Sequence, residues 1–148
     1  MQTEHEFSYD AKLLAPLNVG AVQGGQRQVF QVSDGEVTGD RIRGTLVGGA
    51  DWALIGADGF VRLDVRSHIV THDEAIIYFQ YTGLLEMNAA FQNARAQGGE
   101  TQYGDHYFYS NPRLETGDPR YAWVNTTFFV GQGRATKEGV AYRISRYL

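Results

Sequence analysis

Two Asp-Gly pairs, Asp34-Gly35 and Asp58-Gly59, each stand between runs in which apolar and polar residues alternate. That combination marks β-hairpins, because Asp-Gly accepts the positive φ angles of a tight reversal. More runs of the same period lie around them. Phe7, Tyr9, Ala11 and Leu13 alternate with polar residues in 4–15, and Arg27–Ser33, Glu36–Val47, Ala50–Ile55, Phe60–Thr71 and Ala75–Gly83 carry the pattern on. Asp105–Pro112, Arg120–Gly131 and Gly139–Tyr147 complete it, while Pro16–Gln26, with Gly20, Gly24 and Gly25, reads as a loop. Only Leu84–Gln97 departs: Leu84, Met87, Phe91 and Ala94 fall at helical spacing, with Gly98-Gly99 as a stop.

Short strands at regular spacing with one helix predict a single all-β domain over 1–148. The expected fold is an antiparallel β-barrel of about 8–10 strands, with the helix near 84–97 closing or flanking one end. Gly39 and Gly44 inside a strand mark the bulges and bends that let a sheet close on itself.

Charge and residue usage narrow the function. A net charge of −4 disfavours nucleic acid and anionic membrane surfaces as partners. The chain has no cysteine, hence no disulfide framework, thiolate nucleophile or Cys-ligated metal. An acidic opening without an apolar run, and the lack of any long apolar segment, predict a cytoplasmic protein. His68 and His72 would span about 13 Å on a strand, too far for one ion, so no metal site is expected. Neither G-x-S-x-G nor a phosphate-binding glycine loop is present, so the expectation is a protein without cofactor.

What remains is a set of polar residues embedded in aromatic strands. Asp51 and Trp52 precede the Asp58-Gly59 turn, and Arg62, Asp64, Arg66 and His68 share one face of the strand after it. Tyr78 shares a face with Gln80, Phe79 with Tyr81, and Tyr107 with Tyr109; Trp123, Asn125, Thr127 and Phe129 share another. Turned into a barrel, such faces make an apolar, aromatic cavity with a few fixed polar groups, the usual make-up of a small-molecule site. Each group also has a plain structural reading. Asp64 with Arg66 is most often a structural ion pair, Trp52 and Trp123 most often core, and Asp51 after two glycines a turn cap.

The motifs G-G-A-D-W at 48–52, L-D-V-R at 63–66, E-T-G-D-P-R-Y-A-W-V-N at 115–125 and F-V-G-x-G at 129–133 occur in an order that resembles a bacterial and fungal family, domain of unknown function 3237. The resemblance covers nearly the whole chain. It implies a single-domain antiparallel barrel of lipocalin-like form, intracellular, in some cases beside genes of aromatic or polyketide-like metabolism. It carries over no catalytic residue. Its motif positions are Arg27, Asp51, Trp52, Asp64, Arg66, Glu115, Arg120, Tyr121, Trp123 and Asn125, with a Glu115–Arg120 pair conceivable inside one loop.

The expected activity is therefore acid–base and electrostatic catalysis on a small aromatic or polyketide-like ligand: isomerisation, cyclisation, or addition or elimination of water or an alcohol. Asp51 or Asp64 is the base and Arg66 or Arg27 the oxyanion stabiliser, while Trp52, Tyr78, Tyr107 and Trp123 place the ligand and Asn125 offers an amide. The rival is a barrel that binds a hydrophobic small molecule without changing it; a barrel filled by its own side chains is the third reading. Aromatic strand faces also allow a homodimer.

Overall fold

A computed structural model describes residues 1–148. The strands are β1 Thr3–Leu13, β2 Leu17–Val22, β3 Gly25–Asp34, β4 Glu36–Gly39, β5 Gly44–Ile55, β6 Phe60–Thr71, β7 Ile76–Glu86, β8 Phe108–Ser110, β9 Arg113–Glu115, β10 Phe129–Ala135 and β11 Gly139–Tyr147. One α-helix, α1, spans Ala89–Gln97, and a 3₁₀ segment spans Pro119–Thr126. All strand pairs are antiparallel, and β1 pairs with β11, so the pairings run in a closed ring. The fold is the antiparallel, one-helix architecture that the alternation predicts.

Inward residues of the strands meet in one core. Phe7 and Tyr9 of β1, Ile69 of β6, Phe79 of β7, Phe108 of β8 and Tyr142 of β11 are all buried there. Along β6 the alternation is complete: Val61, Leu63, Val65, Ser67, Ile69 and Thr71 are buried, whereas Arg62, Asp64, Arg66 and His68 are exposed. The charged face of this strand thus looks outward, into water, where its charges need no partner.

Several boundaries depart from the periodicity. Asp34-Gly35 is not a hairpin, because β3 and β4 both lie between β1 and β5 and together form one interrupted strand. A side chain at position 35 would bring its Cβ within 2.3 Å of the Asp10 carbonyl oxygen, so the glycine serves this close approach. The glycine-rich stretch read as a loop holds β2, a largely exposed strand paired with β3. Residues 84–86 belong to β7, and the helix begins only where Asn88 caps it by accepting from the Phe91 amide at 3.1 Å.

The largest departure lies at Arg120–Gly131. Pro119, with Asp118 capping the Arg120 amide at 2.9 Å, starts a 3₁₀ turn instead of a strand. The face shared by Trp123, Asn125, Thr127 and Phe129 therefore does not exist. Arg120 pairs with Asp118 and Asp73, not with Glu115.

Asp73, in the β6–β7 turn, ties this segment to the sheet. Its carboxylate accepts from the hydroxyls of Thr71 and Tyr121, both at 2.6 Å, and stands 3.2 Å from Arg120. These hydrogen bonds, from Thr71 above all, pull its carboxyl down to about 2. A group held below its unfolded value adds stability that is present above about pH 4 and lost as the pH falls toward about 2. Asp73→Ala should lower the melting temperature near neutrality. The gap between variant and wild type should close in that acid window, which thermal melts at several pH values would read.

Candidate functional site

The wall changes its register at Gly48-Gly49. Before these glycines β5 and β6 pair as Val47 with His68; after them they pair as Ala50 with Arg66 and Asp51 with Val65, one residue out of step. A single extra residue in a strand reverses the side to which all later side chains point. Asp51, Ala53 and Ile55 consequently line the interior, and Trp52 lies outside, 42% exposed. Gly48 and Gly49 have φ of +69° and +91°, which suits glycine. Ser67, buried on the opposite strand, donates from its hydroxyl to the Gly48 carbonyl at 2.7 Å. Ser67→Ala should cost about 1 kcal/mol in a denaturant titration, by losing this bond across the bulge.

Past the bulge the ladder opens, for no pairs connect β5 and β6 between Asp51–Val65 and Leu54–Arg62. Side chains take up freed backbone groups there. The Asp64 amide donates to Asp51 Oδ1 at 3.0 Å, and Arg27 Nη1 donates to the Trp52 carbonyl at 2.7 Å. One carboxylate oxygen of Asp51 is thereby fixed to the wall. Burial pushes its carboxyl up to about 6, against the opposing effects of the Asp64 amide and Arg27, and the nearby Asp64 carboxylate adds to the rise.

Asp51 borders a cavity of about 380 Å³ whose walls are mainly apolar. Phe30, Leu63, Val65 and Phe108 are among them, and α1 contributes Phe91. The cavity's polar lining below the exposed rim comprises Asp51, Gln28, Thr136 and the tyrosines. Tyr81 and Tyr142 line the cavity. Tyr9 stands behind them, its ring centroid 5.2 Å from Tyr142, and Tyr81 is 5.3 Å from Tyr142. Burial, with the Asp51 charge adding to it, raises all three hydroxyls above the ordinary tyrosine range. They are neutral donors at physiological pH. The Tyr9 hydroxyl is buried, with Tyr81 as the side chain beside it.

The other anticipated residues divide between separate places. Arg27, Trp52, Asp64 and Tyr107 do come together, in a groove on the outer surface that also holds Arg62 and Tyr109. Arg66 faces Ala50 and Gln80 on the neighbouring strands, outside the ring. Tyr78 donates to Gln80 Oε1 at 3.3 Å and lies against His68. Trp123 lies under the Arg41 guanidinium, 3.7 Å from its ring centroid. Asn125 brackets Thr116, accepting from its amide and donating to its carbonyl, both at 2.9 Å. Among these residues Asp51 alone borders the cavity, while Trp123 packs against the core elsewhere. The three tyrosines were within reach of sequence reasoning: Tyr9 shares a strand face with Phe7 and Ala11, Tyr81 with Phe79, and Tyr142 with Val140 and Ile144.

No group of three or more His, Asp or Glu side chains is arranged to hold a metal ion, and no helix is long and apolar enough to cross a membrane.

Comparison with known proteins places this geometry among relatives. The family described as "Protein of unknown function (DUF3237)" matches residues 1–147. A UPF0311 protein of Rhodopseudomonas palustris is 26% identical over 149 residues, covering 100% of this chain and 97% of its own. Its crystal structure, described as a conserved protein of unknown function, has a TM-score of 0.89 and covers 99% and 97% of the two chains. A beta-barrel like protein from Acinetobacter baumannii is similar at 25% identity and TM-score 0.83, with 98% and 94% covered. A structure described as an enzyme from Penicillium herquei shares the fold at TM-score 0.72 and 18% identity, with 99% and 94% covered.

Proposed function

The chain belongs to the family Protein of unknown function (DUF3237), and since membership assigns no reaction, we propose from its own geometry that it is a cofactor-independent acid–base enzyme. Its ligand is a small aromatic or polyketide-like molecule held inside the ring. The observation that carries this reading is Asp51: a carboxyl with a value of about 6, fixed by one oxygen to the Asp64 amide and bordering an apolar cavity beside neutral tyrosines. A base poised near neutrality is what proton transfer at physiological pH requires.

The chemistry follows from where charge can go. Asp51 takes a proton from a hydroxyl, or from a carbon next to a carbonyl. The electron pair left behind moves toward that carbonyl oxygen, directly or after the new oxygen nucleophile adds to a conjugated double bond. Tyr81 and Tyr142 donate hydrogen bonds to the oxygen that gains charge, in surroundings of low dielectric where such bonds count for most. The protonated Asp51 then returns its proton to carbon, or, in an elimination, to the departing oxygen. Isomerisation, ring closure by addition of a hydroxyl, and the reverse elimination all balance in this way without an oxidant or co-reactant. Arg27 assists from the far side of the wall, where its charge lowers the Asp51 value.

Incubation of the protein with a panel of hydroxyaryl enones and β-hydroxyketones, followed by NMR, tests the reading. Wild type and Asp64→Asn should turn over the same compounds, and Asp51→Asn should not. Undiminished turnover by Asp51→Asn would overturn the assignment. The second reading, binding without conversion, is favoured by the mainly apolar wall. It predicts compounds that bind tightly in the cavity and are released unchanged.

A further inference from the structure

The cavity has two chemically different ends. Deep inside stand Asp51 and the buried tyrosines; at the rim the lining side chains Leu14, Gln92, Arg95, Lys137 and Glu138 are exposed. Glu138 lies 3.4 Å from Lys12 and is neutralised by it. Neither Arg95 nor Lys137 enters any ion pair of the molecule. The rim is thus locally cationic in a chain of net charge −4, so the attraction of an anion to it is a property of this place and not of the whole surface. Arg95 also stands 5.6 Å from the Phe91 ring centroid, and Phe91 is an apolar wall of the same cavity. Apolar wall and charge therefore adjoin.

We infer that the ligand of this site is an amphipathic acid: a planar, apolar body fills the interior, and an anionic group at one end stays at the rim between Arg95 and Lys137. This rests on the reading of the interior as a ligand site and adds the class of molecule it takes. The arrangement sets orientation as well as affinity. An anion at the rim turns the opposite end of the ligand toward Asp51, and it stays clear of the Asp51 carboxylate, which would repel it.

Two fluorescent probes that share one ring system test this, anilinonaphthalene sulfonate and its uncharged counterpart phenylnaphthylamine. At low ionic strength the sulfonate should bind about tenfold more tightly, and high salt should shrink that advantage, since the rim is exposed to solvent. In the double variant Arg95→Gln, Lys137→Gln the two probes should bind alike, the neutral probe keeping its wild-type affinity. Circular dichroism would show that the double variant keeps its fold. Equal binding of both probes to the wild type, or an advantage that survives in the double variant, overturns the inference and leaves the cavity and its Asp51 chemistry standing. Failure of both probes to bind overturns the inference together with the ligand site itself.

Discussion

Asp51→Asn is expected to abolish turnover while making the protein more stable near neutral pH. Asparagine keeps an oxygen to accept from the Asp64 amide, now held at 3.0 Å, so the opened ladder retains its bond. What disappears is a carboxylate that burial disfavours. Raised to about 6 from an ordinary 3.8, the group is harder to ionise in the folded protein than in the unfolded chain. Its ionisation therefore takes stability away as the pH climbs through the interval between those values, and the loss is complete above it. That interval corresponds to about 3 kcal/mol. Denaturant titrations should show the two proteins alike at about pH 4 and the variant ahead by an amount of that order at about pH 7. Catalysis should respond in the opposite sense. Loss of a general base lowers kcat by about a hundredfold to ten-thousandfold. In the wild type kcat/KM should rise with pH through about 6, as the base form of Asp51 appears. A variant that is destabilised at neutral pH would show that Asp51 serves the wall and not a reaction.

Gly49→Ala is expected to have a large effect on the fold. The backbone there has φ of +91°, and a Cβ would lie 2.0 Å from the Arg66 carbonyl oxygen, a backbone atom of the facing strand that cannot rotate away. Strained conformation and collision together should cost about 3 kcal/mol or more. Gly48→Ala is the control: its φ of +69° is also left-handed, but a Cβ meets nothing within 4 Å. About 1 kcal/mol is expected there, from the conformation alone. Whatever Gly49→Ala protein folds has to rebuild the bulge, and with it the side to which Asp51 points. A carbon-13 titration of the Asp51 carboxyl should then move from about 6 back toward 3.8. Equal stability of Gly49→Ala and wild type would show that the register change does not depend on this residue.

These two variants also mark the reach of sequence reasoning. Asp51 was a candidate from its place after two glycines, but its rank against Asp64 was not visible. Both are aspartates in β-strands, Asp51 between Ala50 and Trp52 and Asp64 between Leu63 and Val65. β6 contains no bulge, so its charged face stays outside. β5 contains one, so its aspartate is carried in. Which of Tyr78 and Tyr81 faces inward was hidden for a related reason. Both faces of β7 are aromatic, and alternation divides a strand into two sides without telling which side is buried. Arg27, Trp52, Asp64 and Tyr107 do lie together, but in the outer groove.

Local chemistry was sufficient for much of the architecture. Alternation with a period of two, glycine-marked reversals and a single helical interval lead to an antiparallel sheet with one helix, because each signal depends on a few neighbouring residues and on the geometry of the backbone. The Pro119–Thr126 segment escaped that logic, since a capping aspartate and a proline outweighed an alternating pattern of equal length. The side of the wall each residue faces was decided only by the tertiary structure. One extra residue at Gly48-Gly49 inverts every position after it, and that bulge has meaning only against Ser67 and Arg66 of the facing strand. The carboxyl value of Asp51 was decided there too, because burial is a property of the closed ring, and no stretch of the chain carries it alone.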